Sequence, residues 1–378
     1  MRKKGLLCNV IAASAMLCIL DGSARAAEVT VGLIGELTGA IADYGKQVAR
    51  GSQLAAEWLN AQGNMSGNTI KLLVEDDGSD KAQALTLLNR FALRDNASVV
   101  IGPSASPLSL AIAPRAEELA VPMITIAYSG AVVENRSWVF KSTDITANQF
   151  KAIGAYTADV LKPKACARVW VRDNDAYVQT IKAWSEAVQP KGVKLVDDTS
   201  VLLADTDFSA ASTKIVSLQP DCVYLALSPE GSANFILQLK SAGLPSTTKV
   251  IGGTTMSTRS FLNAAGKAAD GTFSLAEYTP GGVNDLGRQF ESAYKAKFGE
   301  RPDTFAALGF SQMLIVATAL KQAGANPTRE AIRDAFGKIR DMDTVVGRGK
   351  LSLVDRIAHY DMTILTVKGG ELVPAPQQ

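Results

Sequence analysis

The sequence predicts an α/β fold with two sheets of mostly parallel strands, each covered by helices on both faces. Short apolar runs alternate with segments of helical periodicity along most of the chain. This alternation occurs twice, once over 29–126 and again over 168–275, and the connections are short. Regular alternation with short connections is typical of doubly wound parallel sheets. Without the first 26 residues, which have the pattern of a signal peptide, about 350 of the 378 residues remain, and this length exceeds what one core usually accommodates, which favours two domains.

The elements follow one another in a simple order. In the first half, candidate strands are 29–34, 70–75, 98–101 and 122–126, and candidate helices are 45–61, 80–94, 107–119 and 147–161. In the second half, candidate strands are 168–172, 193–199, 222–227, 249–251 and 272–275, and candidate helices are 175–188, 207–218 and 231–242. Three more helices are predicted over 286–297, 305–323 and 329–339. The tail, 350–373, is predicted to be extended and to turn at Gly369-Gly370.

The first 26 residues have the pattern of a cleaved secretory signal peptide. Basic residues at 2–4 precede an apolar stretch over 6–20, and small residues end at Ala26, after which we expect cleavage. Cys18 lacks the small residue that must precede a lipidated cysteine, so we expect no lipid anchor and a periplasmic protein. Removal of the peptide changes the formal net charge from +2 to −1, so the charge gives no reason to expect a nucleic-acid partner.

The mature sequence contains little that supports catalysis or metal binding. His359, the only histidine, lies in the β-rich tail between apolar residues, where a structural role is expected. Asp76 and Asp77 end a strand, and neighbouring residues of a strand point to opposite faces. We therefore expect a carboxylate that caps loop amides rather than an acid–base pair. No nucleophile elbow or phosphate-binding loop is present, so we expect neither an enzyme nor a cofactor or metal.

Two cysteines remain after the signal peptide, Cys166 and Cys222, and each begins an apolar run. The two runs are candidates for neighbouring parallel strands, which leaves a periplasmic disulfide open. Bridges between such strands are uncommon, so two buried free thiols are the default expectation.

Three loops of small, hydroxyl-bearing residues follow strands of the first half. Their sequences are GELTG at 35–39, GPSAS at 102–106 and AYSG at 127–130. Such loops expose backbone N–H groups and hydroxyls at helix N-termini, which suits a carboxylate. Because the carboxyl ends of parallel strands meet at one edge of a sheet, we expect the three loops to converge on one ligand site.

The order and spacing of several motifs resemble the periplasmic solute-binding proteins of ABC importers, of the leucine/isoleucine/valine type. The motifs are GELTGAIADYG, RGSQLAAEWLNAQGNMSGNTIKLLVEDD, VVIGPSAS, VPMITIAYS and FAALGFSQMLIVATALKQAG. The resemblance covers essentially the whole mature chain and implies a type I periplasmic binding protein fold, in which two lobes joined by three hinge crossovers close around a ligand. With crossings near 145, 275 and 350, lobe 1 would comprise 28–146 plus 276–349, and lobe 2 would comprise 147–275 plus 350–378.

The resemblance also implies a set of ligand-binding residues. They are Tyr44, Ser106, Ala127, Ser129, Tyr177, Leu227, Thr254 and Tyr278. Ser106, Ser129 and the backbone of Ala127 would hold a ligand carboxylate. Tyr44 and Tyr177 match aromatic residues that line and close the pocket, and the others would shape the remainder of it.

Two positions depart from the pattern of the amino-acid binders in this family. Thr254 stands where those binders have the carboxylate that pairs with the ligand ammonium, and Leu227 stands where they have an aromatic residue. A buried ammonium without a carboxylate partner loses several kcal/mol of compensation. Either another acidic residue takes over, namely Glu230, Glu277 or Asp173, or the ligand has no ammonium group.

The sequence therefore predicts a monomeric periplasmic receptor that delivers a small carboxylate-bearing solute to an inner-membrane ABC permease. Amino acids and aromatic acids rank level as ligands, and amides and urea rank below them. The alternative is a free periplasmic sensor subunit for amides or organic acids that feeds a signalling partner, because the same fold also occurs in ligand-sensing modules.

Overall fold

A computed structural model describes residues 27–39 and 41–376, so the predicted signal peptide lies outside the described residues. The strands are β1 Ala27–Gly35, β2 Asn68–Asp76, β3 Val99–Ile101, β4 Met123–Thr125, β5 Val139–Lys141, β6 Ala165–Val171, β7 Lys194–Val201, β8 Cys222–Ala226, β9 Lys249–Gly252, β10 Phe273–Ala276, β11 Met342–Asp343, β12 Lys350–Val354, β13 Ile357–His359, β14 Thr363–Lys368 and β15 Glu371–Pro374. The α-helices are α1 Ala42–Gln62, α2 Lys81–Leu93, α3 Ser106–Glu118, α4 Thr146–Tyr156, α5 Asp175–Val188, α6 Ser209–Ser217, α7 Pro229–Ser241, α8 Arg259–Ala265, α9 Asp285–Phe298, α10 Thr304–Ala323 and α11 Arg329–Phe336.

The strands form two sheets, and we call the parts of the chain around them lobe 1 and lobe 2. The strand order is β11-β12-β13-β5-β4-β3-β1-β2 in lobe 1 and β15-β14-β10-β9-β8-β6-β7 in lobe 2. Strands β1 to β5 pair in parallel, and so do β6 to β10. In both sheets the second strand lies outside the first, so each sheet has a switch point at which the winding reverses. The predicted fold class, with two mostly parallel sheets, is confirmed.

Within the described residues, the chain passes between the sheets after β5, after β10 and after β13. The predicted third crossing near 350 is therefore wrong, because β12 and β13 belong to the sheet of lobe 1. Ile357 of β13 pairs with Lys141 of β5, and the Lys141 N–H donates to the carbonyl of Arg356 at 2.8 Å. The sequence pattern predicts an extended tail but does not indicate which sheet edge the tail joins.

The predicted free thiols are also wrong, because Cys166 and Cys222 form a disulfide. The two residues lie directly opposite each other on the neighbouring parallel strands β6 and β8. Their Cα atoms are 4.6 Å apart, within the range that a disulfide requires. The register of the two strands decides the outcome, and the composition of the runs does not reveal that register.

Helix α10 is long and apolar enough to span a membrane, yet 83% of its most apolar window is buried inside the protein. It packs closely on α1 through glycines. A Cβ atom at Gly309 would lie 2.2 Å from the carbonyl oxygen of Val48, and one at Gly51 would lie 2.0 Å from a carbonyl oxygen of α10. Only glycine allows this approach, which brings together Tyr44 and Phe305 in the first turns of the two helices.

Candidate functional site

A cavity of about 670 Å³ lies between the two lobes at the carboxyl ends of the central strands, and we call it the cleft. Residues from α1, α3 and α10 and from the loops after β3 and β4 line it from lobe 1. Residues from α4 and α5 and from the loop after β9 line it from lobe 2. Parallel α/β sheets hold ligands at this edge, and the volume suits a small molecule.

The lobe 1 wall contains three serines at the start of α3 and after β4. We call Ser104, Ser106 and Ser129 the serine corner. The Ser129 N–H donates to Ser106 Oγ at 3.2 Å, and Ser109 Oγ donates to the carbonyl of Pro103 at 2.8 Å, which holds the loop in place. Hydroxyls at a helix N-terminus, where the helix dipole is positive, suit an anionic group.

Glu36 lies directly behind the serine corner. Its Oε1 accepts hydrogen bonds from the backbone N–H groups of Ser104 and Ala105, each at 2.8 Å. The side chain is 0% exposed, and this burial raises the pKa of its carboxyl. Within the described part of the chain, Oε2 is buried without a hydrogen-bond partner. Glu36 therefore fixes the loop and also places an acidic group next to the site that suits an anion.

The negative charge of Glu36 acts on a second buried carboxyl, that of Asp77. Asp77 Oδ1 accepts from the Ser79 N–H at 2.8 Å, whereas Oδ2 is buried without a partner among the described residues. Burial, together with the negative charge of Glu36, raises the pKa of Asp77 to about 6. Asp76 differs, because it accepts from the N–H and the hydroxyl of Thr38. The predicted capping of loop amides by this strand-end pair is confirmed for Asp76.

Aromatic rings line the cleft from both lobes. In lobe 1, Tyr44 stacks on Phe305 with ring centroids 4.4 Å apart and 22° between the planes. Lobe 2 contributes Phe150 and Tyr177. Gly253 leaves room for Phe150, because a Cβ atom at 253 would lie 2.7 Å from that ring. Burial raises the pKa of Tyr44 to about 12 and also raises that of Tyr177, so both phenols remain neutral hydrogen-bond donors.

The lobe 2 wall offers mainly neutral hydrogen-bonding groups. Thr254 and Thr258 follow β9, and Asn174 and Gln179 belong to the start of α5. Among the described residues that line the cleft, only Asp175 is charged, and it is exposed to solvent. A ligand hydroxyl or carbonyl finds partners on this wall, whereas a buried ammonium finds no buried carboxylate.

Tyr128 connects the cleft to the hinge. Its ring lines the cleft, and its hydroxyl donates to Oε2 of Glu277 at 2.5 Å. The other oxygen of this fully buried carboxylate accepts from the Tyr360 hydroxyl at 2.5 Å and from Gln149 Nε2 at 3.1 Å. Burial lowers the pKa of the neighbouring Lys141 ammonium to about 7. Residues near all three crossings therefore meet at one carboxylate, and Tyr128 ties the cleft to it.

His359 also belongs to the hinge and not to the cleft. It ends β13, directly before the third crossing, and its Nδ1 lies 3.3 Å from Oδ1 of Asp144. The same oxygen accepts from the Ile145 N–H at 2.7 Å, at the first crossing. The contact joins two crossings, in keeping with the structural role expected of this histidine.

The structure brings together five of the eight site residues implied by the sequence. Tyr44, Ser106, Ser129, Tyr177 and Thr254 all line the cleft. Their contact with a ligand stays a prediction. The other three residues lie outside the lining of the cleft, for reasons that differ.

Ala127 and Leu227 are each displaced from the cleft by one position along the chain. The Ala127 N–H donates to Thr125 Oγ1 at 3.0 Å and its carbonyl accepts from Thr143 Oγ1 at 3.2 Å, so both backbone groups already have partners. Leu227 is 1% exposed and packs in the core of lobe 2. The preceding residue, Ala226, lines the cleft in its place.

Tyr278 and the three acidic candidates for an ammonium partner also lie outside the lining of the cleft. The Tyr278 hydroxyl donates to Glu291 at 2.7 Å, which turns the ring into lobe 1. Glu277 is buried in the hinge, and Asp173 accepts from a backbone N–H at 2.9 Å. Glu230 is exposed in the first turn of α7, and its negative charge helps to raise the pKa of both Tyr44 and Tyr177, so it lies near the cleft without lining it.

Sequence reasoning missed Tyr128, Phe150, Phe305 and Asp175 as residues of the cleft lining. Tyr128 lies in the predicted loop AYSG, so a signal for it existed. The two phenylalanines occupy apolar positions of helical patterns, which indicate a core role equally well. Asp175 begins α5, where an acidic residue is common in any helix.

Comparisons with known proteins agree with this architecture. A sequence profile of the family described as Periplasmic binding protein matches residues 28–371. The Amino acid binding protein of Pseudomonas aeruginosa is 29% identical to this chain over 353 residues, which are 92% of this chain and 91% of that protein.

Two solved structures show the range of ligands in similar proteins. One is the branched-chain amino acid transporter substrate binding protein LivJ from Streptococcus pneumoniae in complex with isoleucine, with a TM-score of 0.80, 25% identity, and coverage of 91% of this chain and 97% of that chain. The other is a solute binding protein of an ABC transporter from Rhodopseudomonas palustris in complex with 3,4-dihydroxy benzoic acid, with a TM-score of 0.78, 25% identity, and coverage of 92% and 96%.

Proposed function

The chain belongs to the periplasmic binding protein family, and on that basis we propose that it captures a small aromatic carboxylate in the cleft and delivers it to an inner-membrane ABC permease. The chemistry of the cleft walls carries this proposal. Serine hydroxyls belong to the lobe 1 wall, threonine hydroxyls and amides belong to the lobe 2 wall, and both walls contribute aromatic rings. The solute binding protein from Rhodopseudomonas palustris that holds 3,4-dihydroxy benzoic acid supports the same ligand class.

The ligand carboxylate binds at the serine corner in this proposal. Ser106 and Ser129 provide hydroxyls there, and the start of α3 provides the positive end of a helix dipole. Hydrogen bonds to an ionised acceptor are roughly twice as strong as those between neutral groups. A carboxylate is therefore held without a lysine or arginine.

The aromatic ring of the ligand lies between the lobes. The stacked pair of Tyr44 and Phe305 provides one face, and Phe150 and Tyr177 approach from lobe 2. Aromatic rings prefer offset-stacked or edge-to-face neighbours at centroid distances of about 4.5–7 Å. Because the contacts come from both lobes, the ligand favours the closed arrangement of the lobes.

A second candidate ligand is an amino acid whose ammonium pairs with Asp175. Asp175 is the one charged side chain among the described residues of the cleft lining, and LivJ holds isoleucine. However, an ion pair at an exposed carboxylate contributes only about 0–1 kcal/mol. We therefore rank amino acids below aromatic acids.

A thermal-shift panel tests the ligand class. We expect benzoate, 4-hydroxybenzoate or 3,4-dihydroxybenzoate to raise the Tm, and we expect leucine, isoleucine and phenylalanine to have little effect. A ligand at 100 times its Kd stabilises the protein by about 2.7 kcal/mol, which is easily seen. Tm shifts confined to the amino acids, and lost in Asp175→Asn, would support the second candidate and contradict the first.

The cellular setting forms part of the same proposal. Residues 1–26 direct export and are removed after Ala26, and the protein acts as a monomer in the periplasm. An ATPase assay on the permease reconstituted in proteoliposomes separates transport from the alternative of a free sensor. Stimulation by the liganded protein supports transport, and its absence favours the sensor.

A further inference from the structure

An internal carboxylate, that of Glu36, already binds backbone N–H groups of the loop that carries the serine corner. Glu36 Oε1 takes the N–H groups of Ser104 and Ala105, each at 2.8 Å, at the positive end of α3. A ligand carboxylate that binds Ser106 would therefore lie beside Glu36, because Ser106 is the next residue of the same loop. Two negative groups are then held at one helix N-terminus.

The internal acid is not neutralised by its surroundings. Glu36 and Asp77 are both 0% exposed, and each has one oxygen that is buried without a partner among the described residues. The charged groups that act on Asp77 are Glu36, Asp76 and Asp80, all of them acidic. Asp76 stays ionised, because hydrogen bonds from the first loop outweigh its slight burial and lower its pKa. A second anion in this place raises the cost of keeping both buried carboxyls charged.

We infer that Glu36 is a positioning residue for the carboxylate site and that, together with Asp77, it couples the capture of an anionic ligand to the uptake of a proton. The inference rests on the proposed function, because it requires a carboxylate at the serine corner. On binding, a buffer acid loses a proton, which forms an O–H bond with Oε2 of Glu36 or Oδ2 of Asp77; no other bond changes. A neutral Glu36 still accepts the two loop N–H bonds through Oε1, so the loop keeps its shape while the repulsion disappears.

The sign of the pH dependence follows from the charges. The negative ligand raises the pKa of the buried pair, so the bound protein holds more protons than the free protein. Burial raises the pKa of Asp77 to about 6 before any ligand is present. Affinity therefore rises as the pH falls from 8 and levels off below about pH 6. An increase of about one pKa unit on binding corresponds to a gain of about tenfold in affinity.

Calorimetry measures the proton directly. The aromatic acid that gives the largest thermal shift is titrated into the full mature chain at pH 5.5, 6.5 and 8, and at pH 6.5 in both phosphate and imidazole, which have different ionisation enthalpies. We expect uptake of a measurable fraction of a proton at pH 6.5, and an affinity about tenfold higher at pH 5.5 than at pH 8.

Variants assign the proton to the pair. Glu36→Gln keeps an oxygen for the two loop N–H groups, so we expect it to keep the low-pH affinity and to flatten the pH profile. The double variant Glu36→Gln/Asp77→Asn should take up no proton. Glu28→Gln, at the exposed opposite end of β1, removes a charge of the same kind and should leave the proton uptake unchanged.

Several outcomes overturn the inference. Ligand binding by the wild type without proton uptake contradicts the inference. This result does not depend on whether any variant folds. Uptake that persists in the double variant also contradicts the inference, and makes Lys141, whose pKa burial lowers to about 7, the next residue to replace. If Glu36→Gln lowers the affinity equally at every pH, Glu36 supports the loop but takes no part in proton uptake. If no acid of the panel binds at any pH, the proposed function itself is contradicted.

Discussion

Ser106 supplies a hydroxyl in the first turn of α3, and this hydroxyl already accepts the N–H of Ser129 at 3.2 Å. A hydroxyl has one donor and two acceptor lone pairs. Ser106 can therefore keep the bond from Ser129 and still donate to a ligand carboxylate. Its bond with Ser129 joins the loops after β3 and β4, and in the proposed complex the ligand carboxylate would extend this chain of hydrogen bonds.

Replacement of Ser106 by alanine removes that donor. A hydrogen bond to a charged group contributes about 1.5–3 kcal/mol, so we expect Ser106→Ala to lower affinity for 4-hydroxybenzoate roughly 10- to 100-fold by calorimetry. Ser217→Ala, on the exposed side of α6, serves as the matched control and should bind as the wild type does. Wild-type affinity in Ser106→Ala would show that the ligand carboxylate does not bind at the serine corner.

The sequence predicts those cleft residues that lie in a loop with a recognisable pattern directly after a strand. Ser106 and Ser129 follow strands in small-residue loops, and their place at a sheet edge follows from the pattern alone. Phe150 and Phe305 belong to different lobes. Their approach depends on how the lobes pack, which no local pattern encodes. Leu227 shows how precise such a prediction must be. The expected cleft position is wrong by one residue, and Leu227 therefore lies in the core instead of the cleft.

At the scale of elements, the packing of α1 against α10 positions one aromatic wall of the cleft. Each helix contributes a glycine at the contact, Gly51 and Gly309, and Ser52 Oγ donates to the Gly309 carbonyl at 3.1 Å. The stacked rings of Tyr44 and Phe305 lie at the N-terminal ends of the same two helices. A change in the helix separation therefore reaches the ligand site.

Gly309→Ala tests this contact. The added Cβ would lie 2.2 Å from the Val48 carbonyl oxygen, so the helices must separate. We expect the free energy of unfolding to fall by about 1–3 kcal/mol, as for other overpacked cores, in urea denaturation. Gly337→Ala is the control, since its nearest neighbour is 3.5 Å away and it should change stability by no more than about 1 kcal/mol. Equal stability of the two variants would contradict the close-packing argument.

The sequence pattern predicts strands correctly but does not predict which strands pair. The tail is extended, as its sequence predicts, but β12 and β13 join lobe 1 while β14 and β15 join lobe 2. Likewise, Cys166 and Cys222 begin predicted strands, and only their direct opposition in the sheet makes the disulfide. Strand pairing depends on contacts distant in sequence, so period and composition leave it open.

At the scale of the whole molecule, three crossings within residues 41–376 join the lobes and meet at Glu277. Its carboxylate accepts from Tyr128 of lobe 1, from Gln149 of lobe 2 and from Tyr360 at the third crossing. Removing a hydrogen-bond partner from a buried carboxylate is costly. We therefore expect these bonds to hold the three crossings together as a pivot. In the proposed function, closure about this pivot would bring the aromatic residues of lobe 2 towards the serine corner of lobe 1.

The fold and the family follow from the sequence, because strand alternation and the order of the motifs extend over nearly the whole chain. The ligand class does not follow as directly. It depends on which side chains face the cleft from lobe 2, where Thr254 and Thr258 are neutral and Asp175 is exposed. That combination emerges only when the two lobes are placed together.

In the proposed function, the cleft accepts a ligand that has a carboxylate and no ammonium group. Calorimetry with 3-phenylpropanoate and L-phenylalanine tests it directly, since the two compounds differ only in that group. We predict that 3-phenylpropanoate binds at least about tenfold more tightly, because an ammonium that leaves water without a buried carboxylate costs more than about 1.4 kcal/mol. Tighter binding of L-phenylalanine would contradict the claim.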